Sequence, residues 1–129
     1  MAVRIVRLGS PRGVGEGPRI GTVRRPPRGV PKAEFASRDF YDVWFPSLAP
    51  SLATMKLGQA ATTSTQWASF IRKYRAEMST PENGHALELL AALSHTADFS
   101  VGCYCEDEAH CHRSALREHL VEKGARLAR

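Results

Sequence analysis

No stretch of the 129 residues approaches the roughly 18 consecutive apolar residues a membrane-crossing helix needs. The opening MAVRIVRLGSPRG has only a short apolar segment, and Arg4 and Arg7 interrupt it, so no secretory leader is expected. Cysteine is scarce: three residues, an odd number, all between positions 103 and 111. That count suits thiols or metal ligands better than a disulfide framework, and it predicts a reduced, cytoplasmic chain. No internal repeat is visible. Acidic residues are scarce in the first part of the chain, where residues 4–38 contain only Glu16 and Glu34. Against them stand Arg4, Arg7, Arg12, Arg19, Arg24, Arg25, Arg28, Lys32 and Arg38. A basic half of this kind attracts nucleotides, nucleic acid or phosphorylated metabolites, although each arginine taken singly also suits a solvated surface.

What is present is ordinary globular material. Hydrophobic residues make up 43% and charged residues 24%, with a formal net charge of +5. Such a chain can bury one core, so a single domain over residues 1–129 is expected.

Residues 3–8 (VRIVRL) read as a strand. Residues 9–18 form a glycine-rich loop whose GVGEG resembles half a phosphate-binding fingerprint, at the wrong spacing. Residues 19–23 suit a second strand. Residues 24–32 (RRPPRGVPK) carry three prolines and a glycine, so they predict an irregular basic loop. The aromatic run at residues 39–45 (DFYDVWF) predicts a third strand, stopped by Pro46. Ser51 can open a short helix.

Trp67, Phe70, Ile71, Tyr74 and Met78 follow helical spacing and predict a core-facing stripe, with Ser64 or Thr65 as cap. Thr80 and Pro81 open a further helix whose Ala86, Leu89, Leu90 and Leu93 repeat on one face. A buried strand follows over residues 99–105 (FSVGCYC), with Cys103 and Cys105 expected on one face. The last helix is expected to bury Leu116, Leu120 and Val121 and to end at Gly124. Strands near both ends with helices between them argue for an α/β fold with a mixed or parallel sheet flanked by helices.

The chemistry concentrates in residues 99–117 (FSVGCYCEDEAHCHRSALR), a strand, a polar loop and a helix start. That order places reactive groups at the carboxyl end of an α/β sheet. Three readings stay open. The first is an anion site: Cys111 as a thiolate lowered by the helix N-terminus, His112 as proton carrier, Arg113 as a fork of donors. His110-Cys111 followed by Arg117 also spells H-C-x5-R, but the intervening HRSAL lacks the glycine a phosphate loop uses. The second reading is a zinc site using Cys103, Cys105, Cys111 and His110 or His112. The third is structural, with Cys103 above all serving as a small core residue. Glu106 follows the strand end and suits orienting an arginine or a histidine.

Four segments together resemble the domain of unknown function 488 family of bacterial and archaeal proteins, which includes the YeaO-like branch. They are residues 23–31 (VRRPPRGVP), 40–51 (FYDVWFPSLAPS), 70–78 (FIRKYRAEM) and the Cys105-Glu106 and Cys111-His112-Arg113-Ser114 marks. The resemblance implies a compact cytoplasmic α/β domain and supplies no reaction. It further implies that Pro27-Arg28-Gly29 and Cys111-His112-Arg113 form two walls of one pocket. Arg24, Arg25, Arg28, Arg113 and Glu106 are then the candidates for binding an anionic small molecule or nucleic acid, and Cys111 and His112 for any chemistry. Cys103, Cys105, Cys111 and His110 are the alternative metal ligands.

Overall fold

A computed structural model describes residues 1–128; Arg129, the last residue of the domain expected over 1–129, lies outside the described residues. Four parallel strands form one sheet in the order β1-β4-β2-β3: β1 (Val3–Arg7), β2 (Arg19–Gly21), β3 (Val43–Trp44) and β4 (Phe99–Cys103). Helices α1 (Leu52–Ala60), α2 (Ser64–Met78) and α3 (Pro81–Leu93) separate β3 from β4, and α4 (Arg113–Glu122) closes the chain. The fold is therefore α/β, with a parallel rather than a mixed sheet. Among the described residues no helix is long and apolar enough to cross a membrane.

The last strand in the chain is an interior one. β4 inserts between β1 and β2, pairing Val3 with Phe99 on one side and Ile20 with Val101 on the other. All five of its residues are buried, which is why FSVGC shows no polar alternation. Gly102 permits this close approach: a side-chain carbon there would stand 2.6 Å from the Val6 carbonyl oxygen.

The aromatic run at 39–45 shortens to Val43–Trp44, correcting the expected strand. Asp39 has a left-handed backbone at φ 64°, which breaks the extended run. Tyr41 instead turns inward against Phe35, ring centroids 5.3 Å apart, and Phe40 packs against Tyr104. The strand expected over 19–23 is likewise short, Arg19–Gly21.

Helix α2 buries Phe70, Tyr74 and Met78 as its spacing predicts. Its cap is Thr63, one residue before the expected Ser64, because Thr63 and Gln66 complete a reciprocal capping box. Thr80 and Pro81 open α3 as expected. Its buried stripe, however, is Leu87, Leu90, Ala91 and Ser94, whereas Leu89 and Leu93 are exposed. On α4 the buried residues include Ala115, Leu116, His119 and Leu120, and Val121 is exposed, contrary to expectation. Both helices carry more apolar residues than one face needs, so composition alone does not select the face. Gly124, at φ 90°, ends α4 in the left-handed conformation.

Because the strands are parallel, the loops after Gly21, Trp44 and Cys103 all emerge at one edge of the sheet. The loop at 24–32 is irregular but tied down there. Trp44 Nε1 donates to the Val23 carbonyl (2.8 Å), Arg24 donates to the carbonyls of Pro50 (3.0 Å) and Ala49 (3.3 Å), and the Tyr104 hydroxyl donates to the Arg25 carbonyl (2.9 Å).

Candidate functional site

At that edge three side chains converge. β4 ends on Cys103, the chain loops through a 3-10 turn at Glu108–His110, and Cys111 and His112 return it to the start of α4. The Cys103 and Cys111 sulfurs lie 2.7 Å apart, and the Cys111 sulfur lies 3.7 Å from His112 Nδ1. The ligand atoms of Cys103, Cys111 and His112 all fall within 4.8 Å of one another, and all three residues are buried. Their residue types could hold a metal such as zinc.

The backbone fixes the histidine's tautomer. His112 Nε2 donates to the Thr22 carbonyl at 2.8 Å, while Thr22 itself donates its hydroxyl to the Gly102 carbonyl. Burial pushes the His112 imidazolium down to about 4, opposed by that backbone bond, so the ring is neutral near pH 7. A neutral ring protonated at Nε2 leaves its Nδ1 lone pair facing Cys111. The Tyr74 ring meets the imidazole edge-on, centroids 5.3 Å apart, and holds its plane.

The three thiols are unequal. Hydrogen bonding from Cys103 and then Cys111 drives the Cys105 thiol far down, with His112 and Arg113 helping against partial burial. Its bonds to Cys105 and Cys111, followed by burial, drive Cys103 up. Cys103 pulls Cys111 down, but Cys105 and burial outweigh that pull and leave it raised. The lowered thiol is thus the exposed Cys105, and the raised ones are the buried Cys103 and Cys111. Cys111 precedes the helix, but it is sealed in the apolar cluster of Leu8, Val23, Tyr41 and Cys103, and desolvation opposes the helix dipole there.

Arg113 is 3% exposed, a buried cation. Its Nη2 donates to the Cys105 carbonyl at 2.7 Å, and its Nε has no partner. Among the described residues it forms no ion pair with a carboxylate.

Above this floor opens a cavity of about 580 Å³. One wall is Arg24, Arg25 and Arg28 of the basic loop; another is Lys56 of α1 with Trp67 and Phe70 of α2; His110 and the three cysteines complete it. Trp67 stacks at a tilt on Phe70 (4.8 Å) and His110 (5.5 Å), so it is a half-buried wall rather than pure core. Among the described residues the lining includes no Asp or Glu.

Eight of the sequence-derived candidates line this cavity: Arg24, Arg25, Arg28, Cys103, Cys105, His110, Cys111 and His112. Glu106 and Arg113 do not. Glu106 is exposed and lies 3.6 Å from Arg7 of β1, and Arg113 is buried with its guanidinium on the Cys105 carbonyl. His110, offered as a metal ligand, faces Asp107 at 3.0 Å, and the histidine that meets the thiols is His112. Arg117 lies within α4 and forks onto Glu108 at 2.6 and 2.7 Å, so the H-C-x5-R spelling forms no phosphate loop. Lys56 was not legible in advance, because α1 is weakly patterned and only the tertiary fold brings it opposite the arginines.

The basic N-terminal half is partly internal. Arg19 is 1% exposed and grips the Glu16 carboxylate at 2.6 and 3.1 Å and the carbonyls of Ser10, Pro11 and Asp39. Arg12 is held by Asp39 and Asp42.

Comparison with curated proteins and with solved structures gives no match. A family model described as DUF488-N3a, the active DUF488-N3 subclade, does match, over residues 3–124. With a parallel α/β domain and a match spanning nearly its full length, the chain belongs to the DUF488 family.

Proposed function

We propose that the cavity binds a small anionic ligand, a nucleotide or another phosphorylated metabolite. The observation that carries this reading is the lining itself: four cations, an accessible tryptophan and, among the described residues, no carboxylate. Arg24 is spent on backbone carbonyls, so Arg25, Arg28 and Lys56 are the donors for phosphate. None of the three forms an ion pair among the described residues. Trp67 offers a face for a base, a contact worth about 1–3 kcal/mol in single-strand binders. A concave site of this kind suits a small molecule better than a long nucleic acid, all the more because Arg19 and Arg12 are engaged internally. We place the protein in the cytoplasm, where free thiols persist.

The floor adds reactive groups to the binding site. Cys105 is an exposed thiol whose ionised form is favoured, and neutral His112 presents Nδ1 as a proton acceptor. A second reading, a non-enzymatic zinc-holding or redox-sensing module, is favoured by the convergence of Cys103, Cys111 and His112.

Calorimetric titration with nucleoside mono-, di- and triphosphates tests the binding. Wild type should bind at least one class saturably. Arg28→Ala should lose a charged hydrogen bond worth about 1.5–3 kcal/mol, or roughly 10–100-fold in affinity, while still melting cooperatively. Equal binding by both proteins would mean that the arginine loop is not the recognition element.

A further inference from the structure

We propose that Cys103, Cys111 and His112 form a three-ligand zinc site in the cavity floor, its fourth position open toward Cys105 and the ligand space. The site's role toward an anion rests on the cavity reading above; metal binding does not.

The distances are those of a site needing little movement. Tetrahedral zinc with bonds of about 2.3 Å to sulfur and 2.0–2.1 Å to nitrogen sets its donors roughly 3.5–3.8 Å apart. The Cys111 sulfur and His112 Nδ1 already stand at 3.7 Å. The Cys103 and Cys111 sulfurs, at 2.7 Å, need to part by about 1 Å, within reach of a small χ1 adjustment. Two thiolates and an imidazole are a soft set, which selects zinc over magnesium or calcium.

The surroundings are those of a metal-ligating histidine. Such a ring donates its second N–H to a carbonyl or carboxylate, which orients it and fixes the tautomer. Here Nε2 donates to the Thr22 carbonyl and Nδ1 faces the thiols. A disulfide between the two cysteines would have no use for that arrangement.

Arg113 supplies an independent observation. It is a buried cation whose Nε is unpartnered and whose one hydrogen bond goes to the Cys105 carbonyl. A buried cation needs an anion. Zinc with two thiolates is neutral, so an anionic ligand at the fourth position would supply the balancing charge. Three protein ligands with one open position is the pattern of reactive rather than purely structural zinc.

The test begins with reduced wild-type protein stripped of metal by a chelator, then titrated with cobalt(II) and afterwards with zinc(II). One equivalent of cobalt should give the visible bands of a tetrahedral ion and thiolate charge-transfer absorption, and one equivalent of zinc should erase both. Cys103→Ser and His112→Ala should each weaken zinc by more than the roughly 10–100-fold that losing an outer-shell partner costs. Wild-type titration stands by itself if a variant fails to fold. Absence of the cobalt spectrum in reduced, folded wild type would overturn the proposal, as would its survival unchanged in both variants. Nucleoside-phosphate titration of the same metal-free sample reports separately on the anion pocket, so either reading can fail alone.

Discussion

Arg19→Ala should destabilise the fold by about 3–5 kcal/mol, the usual cost of removing one partner from a buried ion pair. The substitution leaves the Glu16 carboxylate, 5% exposed, without its fork, and strips donors from three loop carbonyls. Urea unfolding followed by circular dichroism reads the loss as a lower midpoint at an unchanged slope. A change below about 1 kcal/mol would mean that the pair contributes no more than a surface one. The same pair sets an acid dependence. Burial pushes the Glu16 carboxyl up, but the Arg19 fork and the Gly13 amide outweigh it and hold it below its ordinary value. A carboxyl lowered on folding stabilises the native state above its unfolded value and loses that contribution as pH falls through the folded value. Asp42 and Glu77 are lowered too, so wild-type stability should decline progressively below about pH 4.5. Arg19→Ala should flatten that decline.

Alkylation of the native, metal-free protein with iodoacetamide should modify Cys105 first. Cys103 and Cys111 are 3% and 2% exposed, whereas Cys105 opens on the cavity and its thiolate is favoured. Reactivity follows thiolate fraction and access together, so a preference on the order of tenfold or more is expected at neutral pH. Peptide mass spectrometry locates the label. Labelling of Cys111 at an equal rate would return the nucleophile to the helix start, where the sequence alone places it.

That contrast shows what the sequence carries. The buried strand read over 99–105, which in the structure ends at Cys103, the stripe of Phe70, Tyr74 and Met78, and the Thr80-Pro81 helix start were legible because each rests on local rules of period or capping. So was the arrangement of a strand end, a polar loop and a helix start near Cys111. What local rules do not contain is which neighbour each side chain meets. His112 rather than His110 joins the thiols because its ring reaches back to Thr22, 90 positions earlier in the chain. Arg19 reads as one more surface cation until the loop at 9–18 folds around it. Leu89 and Leu93 sit on a helix with apolar residues on more than one side, and packing into the core shared with α2 and α4 selected Leu87 and Leu90. The aromatic run at 39–45 has strand composition, yet an arginine holding Asp39 and Asp42 bends it into a turn.

The anion pocket itself is tested most directly by the fluorescence of Trp67. The chain has two tryptophans, and Trp44 lies on the edge strand outside the cavity lining. In a Trp44→Phe background, Trp67 is therefore the sole indole reporter. Titration with nucleoside monophosphates should change its emission saturably, and the change should weaken with added salt and be lost in Arg25→Ala/Arg28→Ala. An emission unchanged at millimolar nucleotide, or a change that persists in the double variant, would contradict a cavity built to hold an anion.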